Sequence, residues 1–566
     1  DSDGEDESAM ALANELREAC LSGFESFVLR KPVEIQPHLA SIVHAALAYM
    51  RHDPNYSYGD ENDDEDGSGD DEVEEDFDMD EEEEEYDEEE FDDDSDDNDD
   101  SWKVRRSAIR TLTAVVKTSA KDPSKLWAEE YTWRKNKTFT TTVAGALVKR
   151  FKERDENCRV DLIECFTHLL TNTIEAANRG DIILKAPNSM DVTGDSTQIV
   201  IDLRTKFVPI IVKACEKQLS AKKAGTRTKS AALSLLSALC SAPGGIGDAK
   251  QIQVLFNHIK SILSDAASAS HATNKTLKLD CLQCVHVIIT CPNHAPEDVK
   301  NCTLEILLAE LCNTLQENWY KITSETLRVL AEVPKLLVLA NATAAEKGNA
   351  AKALYVAIEP RLTVHDADQE VKECSLAAAA SLLSNLHQRL DQDSRERLLS
   401  LILLRLRNET TRISAIKTIS AIVKNGVDVN TVINDVIIEL SSLHRQNSRS
   451  VKQSALQCLD TAVTSRPAGL DVSIFGLVVK ELSNVIVDSD LHISHLSLKV
   501  CHSILDMGVS SVSEIKEFLL PSLLNMSKSS LLQDKALDSL LLVLEKLVSS
   551  NAVVFQELLV ALKAGL

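Results

Sequence analysis

The sequence predicts an all-α protein, a superhelical solenoid of stacked helix pairs that carries one long acidic insertion. Hydrophobic residues make up 44% of the 566 residues and aromatic residues only 4%, which favours packed helices over β-sandwiches and β-barrels. The chain has 18 Gly and 13 Pro residues, so it offers few of the tight turns that a β fold needs. The third observation is a short pattern that recurs along the chain.

The recurring pattern usually places a small residue four positions, and an apolar residue five positions, after a start residue that a base often follows. Its starts are Val104, Cys158, Thr228, Leu277, Ile322, Val371, Thr411, Val451, Ile493 and Leu532. From Val371 onward the starts are 40, 40, 42 and 39 residues apart, close to the period of two-helix HEAT or armadillo-like repeats. The earlier spacings of 54, 70, 49, 45 and 49 residues predict loop insertions, one of them at residues 176–197.

Each repeat divides into two helices, as residues 428–464 illustrate. Residues 428–442 carry apolar side chains at helical spacing, and after a polar corner a second helix follows from Val451. A lone helix pair leaves an apolar face uncovered, so stacking on neighbouring pairs supplies the core. We therefore predict a single array of about eleven units over residues 1–566. A set of unrelated helical bundles is the alternative, but bundles would not produce a recurring period.

The acidic tract lies between residues 60 and 100, where 30 acidic residues occur without any Lys, Arg or His. The rest of the chain holds 59 acidic and 60 basic residues, so the net charge of −29 resides in this tract. Because predicted helices at 33–51 and 102–117 flank it, we expect a disordered insertion at residues 52–101, inside one repeat. Two hypotheses stay open: a solubilising loop, or an electrostatic contact with a basic partner, including an intramolecular one.

A basic cluster directly after the tract supplies the only candidate protein-binding residues, Lys103, Arg105, Arg106 and Arg110. The simplest interpretation is the charged face of one helix. The alternative is that the cluster binds the acidic tract or a partner surface. Nucleic acid is not an expected partner, because the tract would repel phosphate.

The sequence contains no motif that predicts catalysis, a cofactor or a metal site. Cys281 and Cys284 have no second CxxC or His pair at zinc-finger spacing, so we expect buried free thiols. The glycine cluster at 243–247 lacks the Lys-Ser/Thr of a phosphate-binding loop. We therefore predict a protein that is not an enzyme and has no small-molecule substrate.

The 13 cysteines are scattered singly, and neither a secretory leader nor an apolar run of membrane length is recognisable. These features favour reduced thiols and a cytoplasmic and nuclear location, without a membrane partner. The location follows from composition alone.

Short sequence blocks in a fixed order resemble the cullin-associated, neddylation-dissociated protein family. The blocks are 23–30 (GFESFVLR), 53–56 (DPNY), 101–106 (SWKVRR), 150–155 (RFKERD), 320–325 (YKITSE), 368–373 (DQEVKE), 408–412 (NETTR) and 489–494 (SDLHIS). Repeat consensus alone does not produce such an order across nearly the whole chain. The resemblance covers the central part of such a protein, whose full-length members are longer at both ends.

The resemblance implies a HEAT solenoid that wraps around a cullin with its RING subunit. It further implies binding to the unmodified cullin, hindrance of neddylation and promotion of substrate-receptor exchange within cullin-RING ubiquitin ligases. The remaining N- and C-terminal repeats, on the same protein or on a companion chain, are further expected partners. An importin-type nuclear transport receptor with an acidic loop is the main alternative, and an acidic histone chaperone is a third.

Overall fold

The chain is dominated by helices in the computed structural model. The described residues are 2–52, 100–132, 140–181, 199, 203–221, 224–242, 245–247, 249–265, 272–364, 368–508 and 514–563. The strands among them form one short antiparallel pair, β1 (Tyr131–Thr132) and β2 (Thr140–Thr141). The prediction of an all-α fold is confirmed. No helix in these ranges is long and apolar enough to cross a bilayer.

Contacts divide the chain into two units, Asp1–Pro243 and Gly244–Leu566, which are described separately. The helices of the first unit are α1 (Ser2–Arg30), α2 (Leu39–Tyr49), α3 (Ser101–Thr118), α4 (Ser124–Ala128), α5 (Val143–Lys149), α6 (Glu156–Arg179), α7 (Val208–Ser220) and α8 (Thr226–Ser241). A 3-10 turn (Gln36–His38) precedes α2, and a π-helical turn (Leu203–Phe207) precedes α7.

The helices of the second unit follow the same alternation of shorter and longer segments. They are α9 (Ala249–Ser264), α10 (Ala272–Thr290), α11 (Pro296–Cys302), α12 (Leu308–Thr314), α13 (Tyr320–Leu339), α14 (Ala344–Thr363), α15 (Gln369–Leu386), α16 (Gln392–Arg407), α17 (Arg412–Lys424), α18 (Ile433–Ser442), α19 (Arg449–Thr464), α20 (Phe475–Ser483), α21 (Leu491–Asp506), α22 (Leu520–Ser527), α23 (Asp534–Ser549) and α24 (Phe555–Lys563). The segments Thr303–Leu307 and Ile515–Leu519 are π-helical, and His387–Arg389, Leu443–Arg445 and Val472–Ile474 are 3-10 turns.

Two kinds of helix alternate within each unit. Second helices pack on one another, through α1, α3, α6 and α8 in the first unit and from α10 and α13 through α23 in the second. First helices pack against their own partners, as α14 does on α15 and α16 on α17. The small residues of the recurring pattern, among them Ser375, Ala415 and Ala455, are buried in this stack. The HEAT-type architecture is therefore confirmed, whereas the single array and the number of repeats stay predictions.

Several boundaries differ from those expected. The helix predicted at 33–51 begins only at Leu39, because Pro37 lies in the preceding 3-10 turn, where its missing N–H costs no helical hydrogen bond. Helix α1, which precedes it, was not anticipated. The loop predicted at 176–197 starts later, since α6 continues through Arg179. Residues 182–198, and residues 53–99 of the acidic insertion, lie outside the described part of the chain.

Polar contacts join successive repeats in addition to the apolar core. Ion pairs between residues roughly one repeat apart in the second unit include Lys278–Glu317, Lys300–Glu346, Arg328–Glu370, Arg397–Glu359, Arg407–Glu439, Arg445–Glu481, Arg449–Asp490, Lys499–Asp460 and Lys546–Asp506. The buried Arg405 instead donates to the carbonyl oxygens of Leu362 and Val364, at 2.6 and 2.7 Å, where α14 ends. Each neighbour is thus held both by burial and by directional bonds that set its position.

Candidate functional site

The four predicted binding residues all lie on α3, and each forms an ion pair within the first unit. Lys103 Nζ lies 2.7 Å from Asp100, and Arg110 Nη2 lies 3.4 Å from Glu25. Both bases are largely exposed, so these pairs contribute little to stability. The hydrogen bond with Asp100 raises the pKa of Lys103.

Arg106 and Arg105 are held more firmly than the other two bases. Arg106 Nε donates to Asp161 Oδ2 at 2.8 Å, and this hydrogen bond raises the pKa of Arg106. Arg105 Nη2 lies 3.2 Å from Glu153 Oε1, and only 12% of its side chain is exposed. The structure therefore brings the four bases together but directs them towards internal carboxylates. Their proposed role in partner binding stays a prediction.

Arg105 connects the two ends of the acidic insertion. Its Nη1 donates to the carbonyl oxygen of His52 at 3.2 Å and to Ser101 Oγ at 2.8 Å. His52 is the last described residue before the insertion, and Ser101 is the first residue of α3 after it. A single guanidinium thus fixes the point where the chain leaves the repeat and the point where it returns.

The carboxylate of Glu153 anchors this guanidinium from the next repeat. It is only 3% exposed, and Arg150 Nη2 lies 2.9 Å from its other oxygen. The backbone N–H of Arg154 donates to it at 3.1 Å, so its acceptor oxygens are well supplied in a buried position. Arg150 also donates to the carbonyl oxygen of Met50 at 3.3 Å. Sequence reasoning had not singled out Glu153, because its partner lies 48 positions away in the chain.

The base that often follows the start residue has the same task in other repeats. Arg412 donates to the carbonyl oxygens of Leu406 and Arg407, both at 3.3 Å, where α16 ends. Arg105 occupies the equivalent position after Val104 and makes the equivalent bond to His52. The recurring base therefore closes the turn between the two helices of a repeat. By this comparison, residues 53–99 take the place of the turn between α2 and α3.

The turns of three successive repeats meet at one edge of the first unit. Cys158 Sγ lies 3.2 Å from the carbonyl oxygen of Trp102, which joins the start of α6 to the start of α3. Thr228 Oγ1 donates to Glu156 Oε1 at 3.1 Å, which joins α8 to α6. Exposed bases line the turns after α5 and α7, and we call them the basic edge: Lys149, Lys152, Arg154, Lys217 and Arg227.

Other candidate centres show structural rather than chemical features. Cys281 and Cys284 are buried, as expected for core thiols. Burial raises the pKa of the Cys165 thiol to about 12, so this cysteine is a poor nucleophile. Within the described ranges, no group of three or more His, Cys, Asp or Glu side chains could hold a metal ion.

Comparison with known proteins identifies the relatives of this repeat array. A family model described as "CAND1-like, TPR repeats" matches residues 247–379. The Drosophila melanogaster "Cullin-associated NEDD8-dissociated protein 1" is 30% identical over 545 residues, which are 95% of this chain. Its namesake from Arabidopsis thaliana is 32% identical over 560 residues, or 97% of the chain. This chain is a relative of the cullin-associated NEDD8-dissociated proteins.

The resemblance expected from the sequence blocks is thereby confirmed. The chain spans 40% of the length of the Drosophila cullin-associated NEDD8-dissociated protein and 41% of that from Arabidopsis. A crystal structure of importin beta is similar with a TM-score of 0.50 and 11% identity, over 80% of this chain and 54% of that one. At that identity the likeness concerns the fold alone, so it supports a HEAT-type architecture and does not indicate a transport function.

Proposed function

We propose that the chain is a non-catalytic scaffold that binds a cullin together with its RING subunit. The observation that carries this proposal is the similarity, over 95% of the chain, to a protein named as cullin-associated. Stacked helical repeats supply the extended surface that such a partner needs. The ion pairs and carbonyl contacts between successive repeats hold that surface in one arrangement.

The mechanism that we propose is steric and competitive. The scaffold binds the cullin that lacks its ubiquitin-like modifier, hinders neddylation and promotes the exchange of substrate receptors. Further N- and C-terminal repeats, on the same protein or on a companion chain, complete the surface. We expect this activity in the cytoplasm and the nucleus, without nucleic acid, membrane or small-molecule partners.

A pull-down with purified components tests the proposal directly. The immobilised chain should retain an unmodified cullin–RING complex and retain much less of the same complex after neddylation. Adding a GTP-loaded small GTPase should leave this binding unchanged. Cargo binding that responds to the GTPase, with no cullin retained, would instead assign the chain to the importin class.

Two further measurements separate the finer steps. Addition of the chain should slow the neddylation of the cullin and accelerate the replacement of one bound substrate receptor by another. A variant that lacks residues 60–99 should keep the cullin complex, because the repeats rather than the tract are proposed to bind it. Loss of all partner binding in that variant would favour the histone-chaperone alternative.

A further inference from the structure

We propose that the basic edge of the first unit binds the acidic tract of the same chain. The edge consists of Lys149, Lys152, Arg154, Lys217 and Arg227, and all five side chains are exposed. The tract contributes 30 carboxylates between residues 60 and 100. The edge and the tract are thus complementary in charge, and the fold brings them next to each other.

The ends of the tract are tied to the turn that starts the edge. Arg105 holds His52 and Ser101 and pairs with Glu153, which lies in the turn after α5. Arg150, in that same turn, also donates to the carbonyl oxygen of Met50 at 3.3 Å. Lys149, Lys152 and Arg154 therefore lie beside the point where the acidic chain leaves the fold.

The second turn of the edge continues directly from the first. Thr228 and Arg227 contact Glu156 and Asn157, at 3.1 and 3.3 Å, so the turn after α7 lies against the start of α6. Helices that pack on each other have axes about 8–10 Å apart, so the two turns extend only a short distance from the insertion. Both turns are therefore close to the tract's point of attachment.

The charges of this region are sorted between inside and outside. Residues 149–159 and 213–229 together hold eleven basic and four acidic residues. Three of those acids are engaged by the fold: Glu153 with Arg105, Glu156 with Thr228, and Asp155, which accepts from the N–H of Cys158 at 2.8 Å. The exposed bases thus leave an excess of positive charge at the surface.

The length of the insertion allows it to reach the whole edge. It has 47 residues between His52 and Asp100, and a flexible chain of that length has a root-mean-square extension of about 35–40 Å. Tethering at both ends gives the tract an effective concentration on the order of millimolar near its attachment point. Many weak charge contacts therefore suffice for binding at low salt. The bases of α3 are less suitable, because each of the four already has a carboxylate partner.

Lysine labelling of the full chain tests the proposal. Deletion of residues 60–99, with the Asp100 end retained, should raise the rate of acylation of Lys149, Lys152 and Lys217 several-fold at low salt. Lys417 and Lys424 on α17, which are exposed in the second unit, serve as controls and should not change. In 0.5 M salt the difference between the two proteins should largely disappear, because exposed charges are then screened.

A charge-reversal pair provides the complementary test without a deletion. Lys152→Glu with Arg154→Glu should increase the rate at which a glutamate-specific protease cleaves residues 81–90, again several-fold. The matched control, Lys417→Glu with Lys424→Glu, should leave that rate unchanged. Equal cleavage in both variants, or edge labelling that ignores the deletion, would overturn the proposal. So would edge lysines protected only when a cullin–RING complex is added, which would assign the edge to the partner.

Discussion

Replacing Arg105 by methionine distinguishes a structural role of the α3 bases from a binding role. The variant keeps the length and apolar stem of the side chain but loses the guanidinium. It therefore removes the ion pair with Glu153 at 3.2 Å and the donors to His52 and Ser101 at 3.2 and 2.8 Å. These contacts lie in a largely buried position, so water does not replace them without cost.

The size of the effect follows from what Glu153 retains. Removing one partner of a fully buried ion pair typically costs 3–5 kcal/mol. Glu153 keeps its contact with Arg150 at 2.9 Å and the backbone N–H of Arg154, so the carboxylate is not left without partners. We therefore expect Arg105→Met to lower the free energy of unfolding of the first unit by about 2–3 kcal/mol. That loss corresponds to a decrease in Tm of about 4–12 °C.

Urea denaturation monitored by tryptophan fluorescence measures this change. Three of the four Trp residues lie in the first unit, so the signal reports mainly on that part of the chain. Lys103→Met is the control, because Lys103 is an exposed neighbour on the same helix. The reasoning would be refuted if Arg105→Met had the same urea midpoint as the control and yet lost binding to a cullin–RING complex. Arg105 would then be a contact residue.

Two further variants test the second unit. Gly245→Ala should lower its Tm, because Gly245 has φ +61° and an added Cβ would lie 2.3 Å from the His294 ring; Gly348→Ala, which meets no atom within 4 Å, should not. Equal Tm values would show that the loop adapts. Asp490→Asn should lower the Tm at neutral pH, since Arg449 holds the pKa of Asp490 at about 2, below the ordinary 3.8. This contribution is complete above pH 3.8 and lost as the pH falls towards 2, so the two Tm curves should converge there. A gap independent of pH would contradict the ion pair.

Periodicity was sufficient to predict the helical architecture, because it depends on contacts that repeat locally. The starts at Val371, Thr411 and Val451 located three stacked helices, and the small residue four positions later is buried in each. Charge counting likewise located the acidic tract, since composition needs no coordinates. The same sequence could not predict the start of α2 or the presence of α1, where the repeat pattern is absent.

The roles of the α3 bases depended on the tertiary structure. Lys103, Arg105, Arg106 and Arg110 form one cluster in the sequence, but their partners come from the insertion boundary, α1, α6 and the turn before α6. A local pattern cannot show which distant carboxylate a base meets, because ion pairing depends on the stacking of repeats. The acidic composition is readable along the chain, whereas Arg105 as the residue that closes the insertion, and the exposed bases beside it, follow only from how neighbouring turns pack.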